Sequence, residues 1–269
     1  MTGMIPLAWT DLAAVSLLLL VNAGLALLVE VGLARQYMIA AVRMVIQLTL
    51  VALVLEMLFR VASPLWTGLL LLVMAAFAGH EVMARQQRRF VGWWGFGLGS
   101  TVMTLAAAVV TLPAVAAVLQ PEPWYHPRWA VPLFGMILGN AMTGVALGLN
   151  TLTTTAARER GVIEARLALG SDRWQAFRPV TRQALRSALM PIINSMAATG
   201  VVFLPGMMTG QILAGAEPGE AVRYQLFVMF LIGGATGLGV MGALAGGVWR
   251  LSDGRDRLRL DRLASERKW

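Results

Sequence analysis

Long apolar stretches alternate with short polar connections along this chain. Seven of the stretches are close to the roughly 20 residues that an α-helix needs to cross the hydrocarbon of a bilayer. We therefore predict an all-α fold, a polytopic integral membrane protein with about seven transmembrane helices in one domain over residues 1–269. The predicted spans are 10–33, 38–59, 64–84, 93–118, 131–152, 189–214 and 224–249.

The connections between these spans are mostly short. The connection at 120–130 is rich in proline and aromatic residues, which is typical of a cap at the membrane interface. One connection is long, at about 155–187, and a basic tail follows at 250–269. The first apolar stretch has no Lys or Arg before Arg35, so we interpret it as a retained span and not as a signal peptide.

The positive charges lie almost entirely in alternate connections. Of the 22 Lys and Arg residues, all but Arg60, Arg128 and Arg223 fall at one end of the predicted spans. The positive-inside rule places that end in the cytoplasm, which gives an outside N-terminus, a cytoplasmic C-terminus and an odd number of spans. The pI of about 11.3 thus reflects topology and contact with the lipid bilayer, and we expect no nucleic-acid partner.

Composition excludes several kinds of chemistry. The chain is 58% hydrophobic and 13% charged, and it has no cysteine, so a disulfide, a thiolate metal site and a Cys nucleophile are excluded. A P-loop needs a lysine that reaches the phosphates of ATP, and Lys268 is the only lysine. We therefore expect that the chain binds no ATP and is not an enzyme, and that any ATPase is another polypeptide.

The long connection has the pattern of a helix–turn–helix. A first helix over 156–169 is closed by Gly170, and Ser171 or Asp172 is predicted to cap a second short helix, with Gln175 three residues after Asp172. Trp174 and Phe177 add apolar bulk to this Arg-rich segment. The residues allow two interpretations, a protrusion that enters a groove of another protein or an amphipathic segment on the inner leaflet.

Several motifs resemble a known family. Glu164-Ala165, with Gly170 six residues after the Glu, is similar to the EAA–Gly signature of ABC-transporter permeases. The blocks 132–142 and 204–215 resemble the FetB-type iron export permeases, a family that includes plant aluminium-tolerance relatives. The resemblance extends over roughly 35–250 and includes Arg43 and Gln47 at the start of the second span.

The resemblance implies a permease subunit in the cell inner membrane that works as a homodimer. A separate ATPase of the FetA type would bind ATP and Mg²⁺, and the transporter would export iron or another metal ion. The resemblance places Glu164, Ala165 and Gly170 at the ATPase-coupling segment; Arg166 stands where the signature usually has a second Ala, and Trp174 and Phe177 are candidates for the same segment because of their apolar bulk. The alternative is an ion-coupled secondary transporter of a small solute, which favours a carboxylate at mid-membrane, whereas Glu30, Glu56 and Glu81 lie near span ends.

Polar groups and a helix break within the spans are candidates for the substrate pathway. Broken helices often line transport sites, and thioethers are soft, adaptable ligands. The candidates are Gln47, Asn140, Asn194, Pro205, Gly206, Met207, Met208 and Gln211. Hydrogen bonding between helices is the alternative role for the amides. We assign no metal ligand, because His80 and His126 lie on opposite sides of the membrane.

Four Gly-x-x-x-Gly pairs in the fifth and seventh spans predict where helices pack closely. They begin at Gly135, Gly144, Gly233 and Gly242. Small residues at this spacing let helix backbones approach closely. We therefore expect close packing at these faces, within the subunit or between two copies.

Overall fold

The structure is a computed structural model that describes residues 8–28 and 34–266. The longer helices are α1 (Trp9–Leu28), α2 (Ala34–Val61), α3 (Pro64–Ala84), α4 (Trp93–Pro113), α5 (Pro127–Arg158), α7 (Arg173–Ala198) and α9 (Pro218–Leu251). The shorter helices are α6 (Arg160–Ala168) and α8 (Gly206–Leu213); a π-helical turn (Ala114–Leu119) extends α4, and a 3₁₀ turn (Leu260–Arg262) lies near the C-terminus. The all-α membrane fold is confirmed.

Proline and capping residues set several helix starts. Pro64 and Pro127 occupy the first helical position of α3 and α5, where a missing N–H costs nothing. At α5 the ring nitrogen Nδ1 of His126 accepts the backbone N–H of Arg128 at 3.2 Å. The start of α3 therefore coincides with the predicted one.

Helix α5 is the centre of the bundle and packs against α3, α4, α7 and α9. Its side chains Ile137, Val145, Leu149 and Leu152 are completely or almost completely buried. Helix α9 also packs along α4, so α3, α4, α5, α7 and α9 form one core.

The glycines allow this close packing at most of the predicted positions. A Cβ at Gly144 would lie 2.9 Å from the Thr236 side chain, and one at Gly242 would lie 2.6 Å from the Val102 side chain. These contacts confirm the predicted packing between α5 and α9 and between α9 and α4. Gly139 and Gly237 differ, because no neighbour lies within 4 Å of their Cβ positions in the described residues.

The hairpin of α1 and α2 lies at the edge of the bundle. The two helices pack against each other, and α2 touches α5 along a short stretch. One ion pair also joins the hairpin to α3, from Arg43 Nη2 to Glu81 Oε1 at 2.7 Å. Most side chains of α1 and α2 are exposed, including many large apolar ones. This hairpin therefore presents its surface to lipid or to another chain.

Six helices are long and apolar enough to span a membrane, namely α1, α2, α3, α4 with its π-helical extension, α5 and α9. The second half of α7 and the short α8 lie where the sixth of the seven predicted spans was expected, between α5 and α9. The predicted span 189–214 is therefore wrong in its bounds. The helix begins at Arg173 and ends at Ala198, and the chain turns through 199–205 before α8.

The helix break within 189–214 also differs from the prediction. Pro205 does not interrupt a helix; it immediately precedes α8, in an extended conformation. The chain leaves the helical path earlier, at Thr199, and Gly200 has a left-handed φ of 85°. A β-carbon disfavours that conformation, so glycine is the residue that permits the turn.

The long connection is shorter than predicted. Helix α5 continues to Arg158, past the predicted end of its span at 152, and α7 starts at Arg173. The residues 156–158 expected in the first short helix belong to α5, and the expected second short helix is the start of α7. Only 159–172 connects the two long helices, because each of them is one continuous helix up to this connection.

Candidate docking site and transport path

The connection between α5 and α7 forms a compact tip. Gly170, with φ 89°, ends α6, and the backbone N–H of Ser171 donates to the carbonyl of Arg166 at 3.1 Å. Gly170 N–H donates to the Leu167 carbonyl at 3.1 Å, which completes a Schellman motif. Asp172 then caps α7, accepting the Gln175 N–H at 2.7 Å. The predicted helix end and cap are confirmed.

The apolar side chains of the tip separate into an inner and an outer face. Ile163 and Phe177 are buried and belong to the core. Leu169 is 87% exposed, and Val162 and Trp174 are about half exposed. The prediction that Phe177 belongs with Trp174 at the docking surface is therefore wrong. Phe177 instead anchors α7 to the rest of the bundle.

The outer face of the tip is defined here as the docking tip, residues Val162, Ala165, Leu169, Gly170 and Trp174. Sequence reasoning missed Val162 and Leu169. Their signal was the helical spacing, since Val162, Ala165 and Leu169 lie three and four residues apart and share one face. Apolar groups held in water at a protruding turn are typical of a surface that another protein covers.

The charged residues of the tip have different roles. The Glu164 carboxylate accepts from Arg160 Nε at 2.8 Å, within α6. This is an exposed i,i+4 pair, which stabilises a helix by only about 0.3–0.5 kcal/mol. Arg166 lies on the side of α6 that faces α7, where it lines a groove and not the docking tip.

The C-terminal segment is packed against the bundle. Phe90 pairs with Leu263 through backbone hydrogen bonds: Val91 N–H donates to the Arg262 carbonyl at 2.9 Å, and Ala264 N–H donates to the Arg89 carbonyl at 2.8 Å. We call residues 252–264 the C-terminal clamp. The clamp holds the connection between α3 and α4.

The same clamp reaches the two long helices. Arg262 Nη1 donates to the carbonyls of Arg250 at 2.8 Å and Ser252 at 3.0 Å, at the end of α9. At the start of α7, Arg173 Nη2 donates to the Asp253 carbonyl at 3.0 Å, and Arg173 also pairs with the Asp256 carboxylate. The clamp thus joins α7, α9 and the α3–α4 connection at one end of the bundle.

Two carboxylates of the clamp have pKa values below the ordinary range. The backbone N–H groups of Arg257 and Arg255 donate to Asp253 and lower the pKa of its carboxyl. A bidentate pair with the Arg259 guanidinium lowers the pKa of Asp261. Both groups are therefore firmly ionised at neutral pH.

Two of the pathway candidates lie at the same depth. Ala188 of α7 packs against Gly148 and Gly144 of α5, which run in the opposite direction. Asn140 lies one helical turn outward from Gly144, and Asn194 lies about one and a half turns outward from Ala188. Both side chains are exposed on the surface of the single chain, and the Asn140 amide donates to the carbonyl of Met136 at 2.8 Å.

The remaining candidates are separated from this pair. Gln47 is exposed on α2, away from the core. Pro205, Gly206, Met207 and Met208 lie at the start of α8, and Gln211 lies in its last turn. Met207 packs on the core, and the buried Oε1 of Gln211 has no hydrogen-bond partner in the described residues. The structure brings the α8 residues together but does not join them to Gln47.

The acidic and histidine residues form no cluster of three or more within 8–28 and 34–266. Glu81, beside His80, is paired with Arg43 and lies 3.7 Å from Arg85. Glu30, a possible partner for Arg43, falls outside the described residues.

Comparison with known proteins identifies the family. A family model described as "Uncharacterised protein family (UPF0014)" matches residues 9–251. The chain belongs to the UPF0014 family. No solved structure matches it.

Relatives of UPF0014 from distant organisms cover most of the chain. UPF0014 membrane protein slr1647 from Synechocystis sp. is 37% identical over 238 residues, which is 86% of this chain and 88% of the relative. UPF0014 membrane protein STAR2 from Oryza sativa is 34% identical over 77% of this chain and 70% of its own length. The probable iron export permease protein FetB from Escherichia coli is 33% identical over 71% of each chain. The resemblance predicted from the motifs is thus confirmed for the family.

Proposed function

We propose that this chain is the membrane-spanning permease subunit of an ABC transporter. The separate ATPase subunit binds ATP and Mg²⁺, docks on the tip between α5 and α7, and supplies the energy for transport. The cargo is iron or another metal ion and the direction is export; the name of the FetB relative supports both. The chain itself carries out no catalysis.

The observation that carries this proposal is the continuity of α7. One helix runs from Arg173, next to the docking tip, to Ala198 inside the membrane. Ala184 and Ala188 of this helix are buried in the core, where α7 packs against α5 and α9. Helix α7 continues through Pro179 and Pro191, so a displacement of the tip is transmitted along one helix, with these two prolines as the positions at which it can bend.

A homodimer supplies the second half of the path in this proposal. The single chain leaves Asn140 and Asn194 exposed at one depth on neighbouring helices. Polar side chains in a membrane normally face a protein partner or a water-lined cavity, since lipid cannot hydrogen-bond them. Two copies that meet along α5 and α7 would enclose these amides between them.

The proposed location is the cell inner membrane, with the clamp and the docking tip in the cytoplasm. The clamp contacts bring the basic connections 85–92 and 159–172 and the basic C-terminal segment to one end of the bundle. Arg128 lies over the Phe59 ring, 5.6 Å from its centroid, at the opposite end. The excess of arginine at the clamp end supports a cytoplasmic C-terminus.

Reconstitution tests the transport role. The chain and its ATPase partner are placed in proteoliposomes, and ATP hydrolysis is measured with iron(II), other divalent metals and organic solutes. We expect iron(II) or another metal to stimulate hydrolysis and to accumulate on the side away from the ATPase. Hydrolysis that ignores every metal, or metal movement that follows a proton gradient without ATP, would reject the proposal.

Matched variants test the docking tip. Trp174→Ala and Glu164→Arg change exposed side chains, so the permease should insert normally while co-purification with the ATPase and transport-coupled hydrolysis both fall. Arg255→Gln, an exposed change in the clamp, is the control and should leave coupling intact. Unchanged coupling in both tip variants would exclude this docking site.

A further inference from the structure

Four arginines converge on one groove beside the docking tip. The groove has a volume of about 630 Å³ and is lined by Arg166, Arg178, Arg182 and Arg186, with Gln175, Pro179 and Gln183. Arg166 belongs to α6, and the other three lie four residues apart on one side of α7. The lining thus contains four guanidinium groups, two amides and no carboxylate.

These arginines lack an acidic partner among the described residues, whereas eight of the other sixteen arginines there form an ion pair. Arg160, Arg173 and Arg259 each form an ion pair of 2.8 Å or less. Within residues 8–28 and 34–266, none of the four groove arginines lies within 4.0 Å of a carboxylate. The nearby carboxylates have other partners, since Glu164 accepts from Arg160 and Asp172 caps α7.

The spacing of these charges carries an energetic cost. Like charges at i and i+4 on a helix repel each other, and α7 has two such pairs in succession. A helix that lines a groove with three repelling guanidinium groups is stabilised when an anion binds between them. Guanidinium groups also present paired N–H donors that match the oxygens of phosphate and carboxylate groups.

The groove runs along α7 from Arg186, near the core contact of Ala188, to Gln175, near the docking tip. Arg186 is two residues from Ala188, which packs on Gly148, and the nearby Asn150 accepts the N–H of Gln87 in the α3–α4 connection. Arg178 lies about 12 Å further along the helix axis, away from the membrane. A ligand can therefore enter from the lipid headgroup layer or from the aqueous side.

We propose that this groove is a binding site for an anion that carries phosphate or carboxylate groups. Its volume is that of a small-ligand site and is too small for a protein surface of ordinary interface size. Its arginines also lie apart from the apolar docking tip. The anion is either the headgroup of an acidic lipid or a soluble multivalent anion, and the site stands independently of the proposed transport role.

Calorimetry on the full chain in phosphatidylcholine nanodiscs tests the site, with inorganic pyrophosphate as the soluble probe. The double variant Arg178→Gln/Arg182→Gln keeps side-chain length and helix propensity and removes two charges. We expect its pyrophosphate affinity to fall about tenfold, since two charge-assisted contacts are lost. The control Arg255→Gln/Arg257→Gln removes two charges from the exposed clamp and should change the affinity less than twofold.

Arg166→Gln probes the groove from the other helix and should also weaken binding, so the result does not depend on the folding of the α7 variant.

Nanodiscs that mix phosphatidylglycerol with phosphatidylcholine distinguish the two sources of the anion, lipid headgroup and soluble anion. If the groove holds a lipid, the wild type retains more phosphatidylglycerol after purification than the groove variants do, and that lipid competes with pyrophosphate. If the groove holds a soluble anion, lipid retention is equal and pyrophosphate binding alone differs.

Three results would overturn the proposal. The first is equal weakening by the groove and control variants, which would indicate only net charge. The second is wild-type affinity for pyrophosphate and phosphatidylglycerol in every variant. The third is intact anion binding with loss of ATPase co-purification in the groove variants, which would make the groove a protein contact.

Discussion

Arg173, the first residue of α7, pairs with the carboxylate of Asp256 and donates to the carbonyl of Asp253 at 3.0 Å. Both aspartates lie about eighty residues after Arg173 in the sequence. The Arg173 side chain is mostly buried, at 19% exposure. This contact joins the start of α7, which lies next to the docking tip, to the C-terminal clamp.

Removing the charge of Asp256 should loosen the clamp. Asp256→Asn keeps a residue type that tolerates the left-handed φ of 54° but removes the ion pair with Arg173. Because the Asp256 side chain is 38% exposed, we expect a cost of only about 1 kcal/mol. Trypsin should then cut the 252–264 segment faster than in the wild type. Glu122→Gln, an exposed carboxylate change outside the clamp that removes no trypsin site, is the control, and equal cleavage of all three proteins would show that the pair does not hold the clamp.

The clamp should be insensitive to pH until acid conditions are reached. The pKa values of Asp253 and Asp261 are lower in the docked clamp than their ordinary 3.8. Their ionised forms therefore favour docking by a constant amount above about pH 4, and this contribution is lost as the pH falls through the lowered pKa values.

A spin label measures this dependence directly. The chain contains no cysteine, so Ser265→Cys provides one labelling site at the exposed residue that directly follows the clamp. We expect an unchanged, restricted spectrum from pH 8 to 5 and a mobile one below about pH 4. In Asp253→Asn the acid transition should shrink. A transition near pH 6 would contradict the assignment to these carboxylates.

Gly170 in the docking tip and Gly161 in the first turn of α6 allow a comparison of the same substitution at two nearby glycines. Gly170→Ala places a β-carbon at φ 89° and should destabilise the turn by about 1–2 kcal/mol. Gly161→Ala lies in α6, with no neighbour within 4 Å of the new carbon in the described residues, and should stabilise the helix by up to about 1 kcal/mol. Coupled ATP hydrolysis should therefore fall in the first variant and persist in the second. Equal effects would mean that the turn conformation does not matter.

Gly144 and Gly139 make a second matched pair, within α5. Gly144→Val would insert a side chain 2.9 Å from Thr236 and 3.0 Å from Val240, and overpacking of this kind costs about 1–3 kcal/mol. Gly139→Ala meets no atom within 4 Å in the described part of the chain and should not lower the apparent Tm, since alanine is the better helix former. Thermal unfolding in detergent checks both. If Gly139→Ala weakens a dimer while the monomer keeps its Tm, that face of α5 is a subunit interface.

The apolar pattern predicted most of the transmembrane helices because their lengths and boundaries are set by local signals. The predicted span 64–84 coincides with α3, since Pro64 marks its start and the apolar residues continue to its end. The bounds of the predicted span 189–214 were wrong for a physical reason. Hydropathy detects apolar residues, but whether the Arg-rich stretch after Arg173 continues as one helix depends on Ala184 and Ala188 packing in the core.

The C-terminal clamp could not be predicted from the sequence, since it depends on backbone pairing between Phe90 and Leu263, which are far apart in the chain. The roles of Trp174 and Phe177 could not be separated by spacing either. Trp174 lies three residues before Phe177, as Phe177 does before Val180, and only the packing of α7 shows that Phe177 is buried while Trp174 is half exposed. The sequence showed the four groove arginines only as part of a basic segment. It could not show that they share one groove, because Arg166 approaches the other three only when α6 folds back on α7.

The position at which α7 crosses α5 has a mechanical consequence. If the tight packing of Ala188 on Gly148 acts as a pivot, α7 is a lever with two unequal arms, and each arm contains one proline, Pro179 or Pro191. The arm from Ala188 to Arg173 is about 22 Å long and the arm to Ala198 is about 15 Å long. For a straight helix, a tilt that moves the Arg173 end by about 3 Å would move the Ala198 end by about 2 Å in the opposite direction. The two prolines are the positions at which α7 can bend and so reduce this movement.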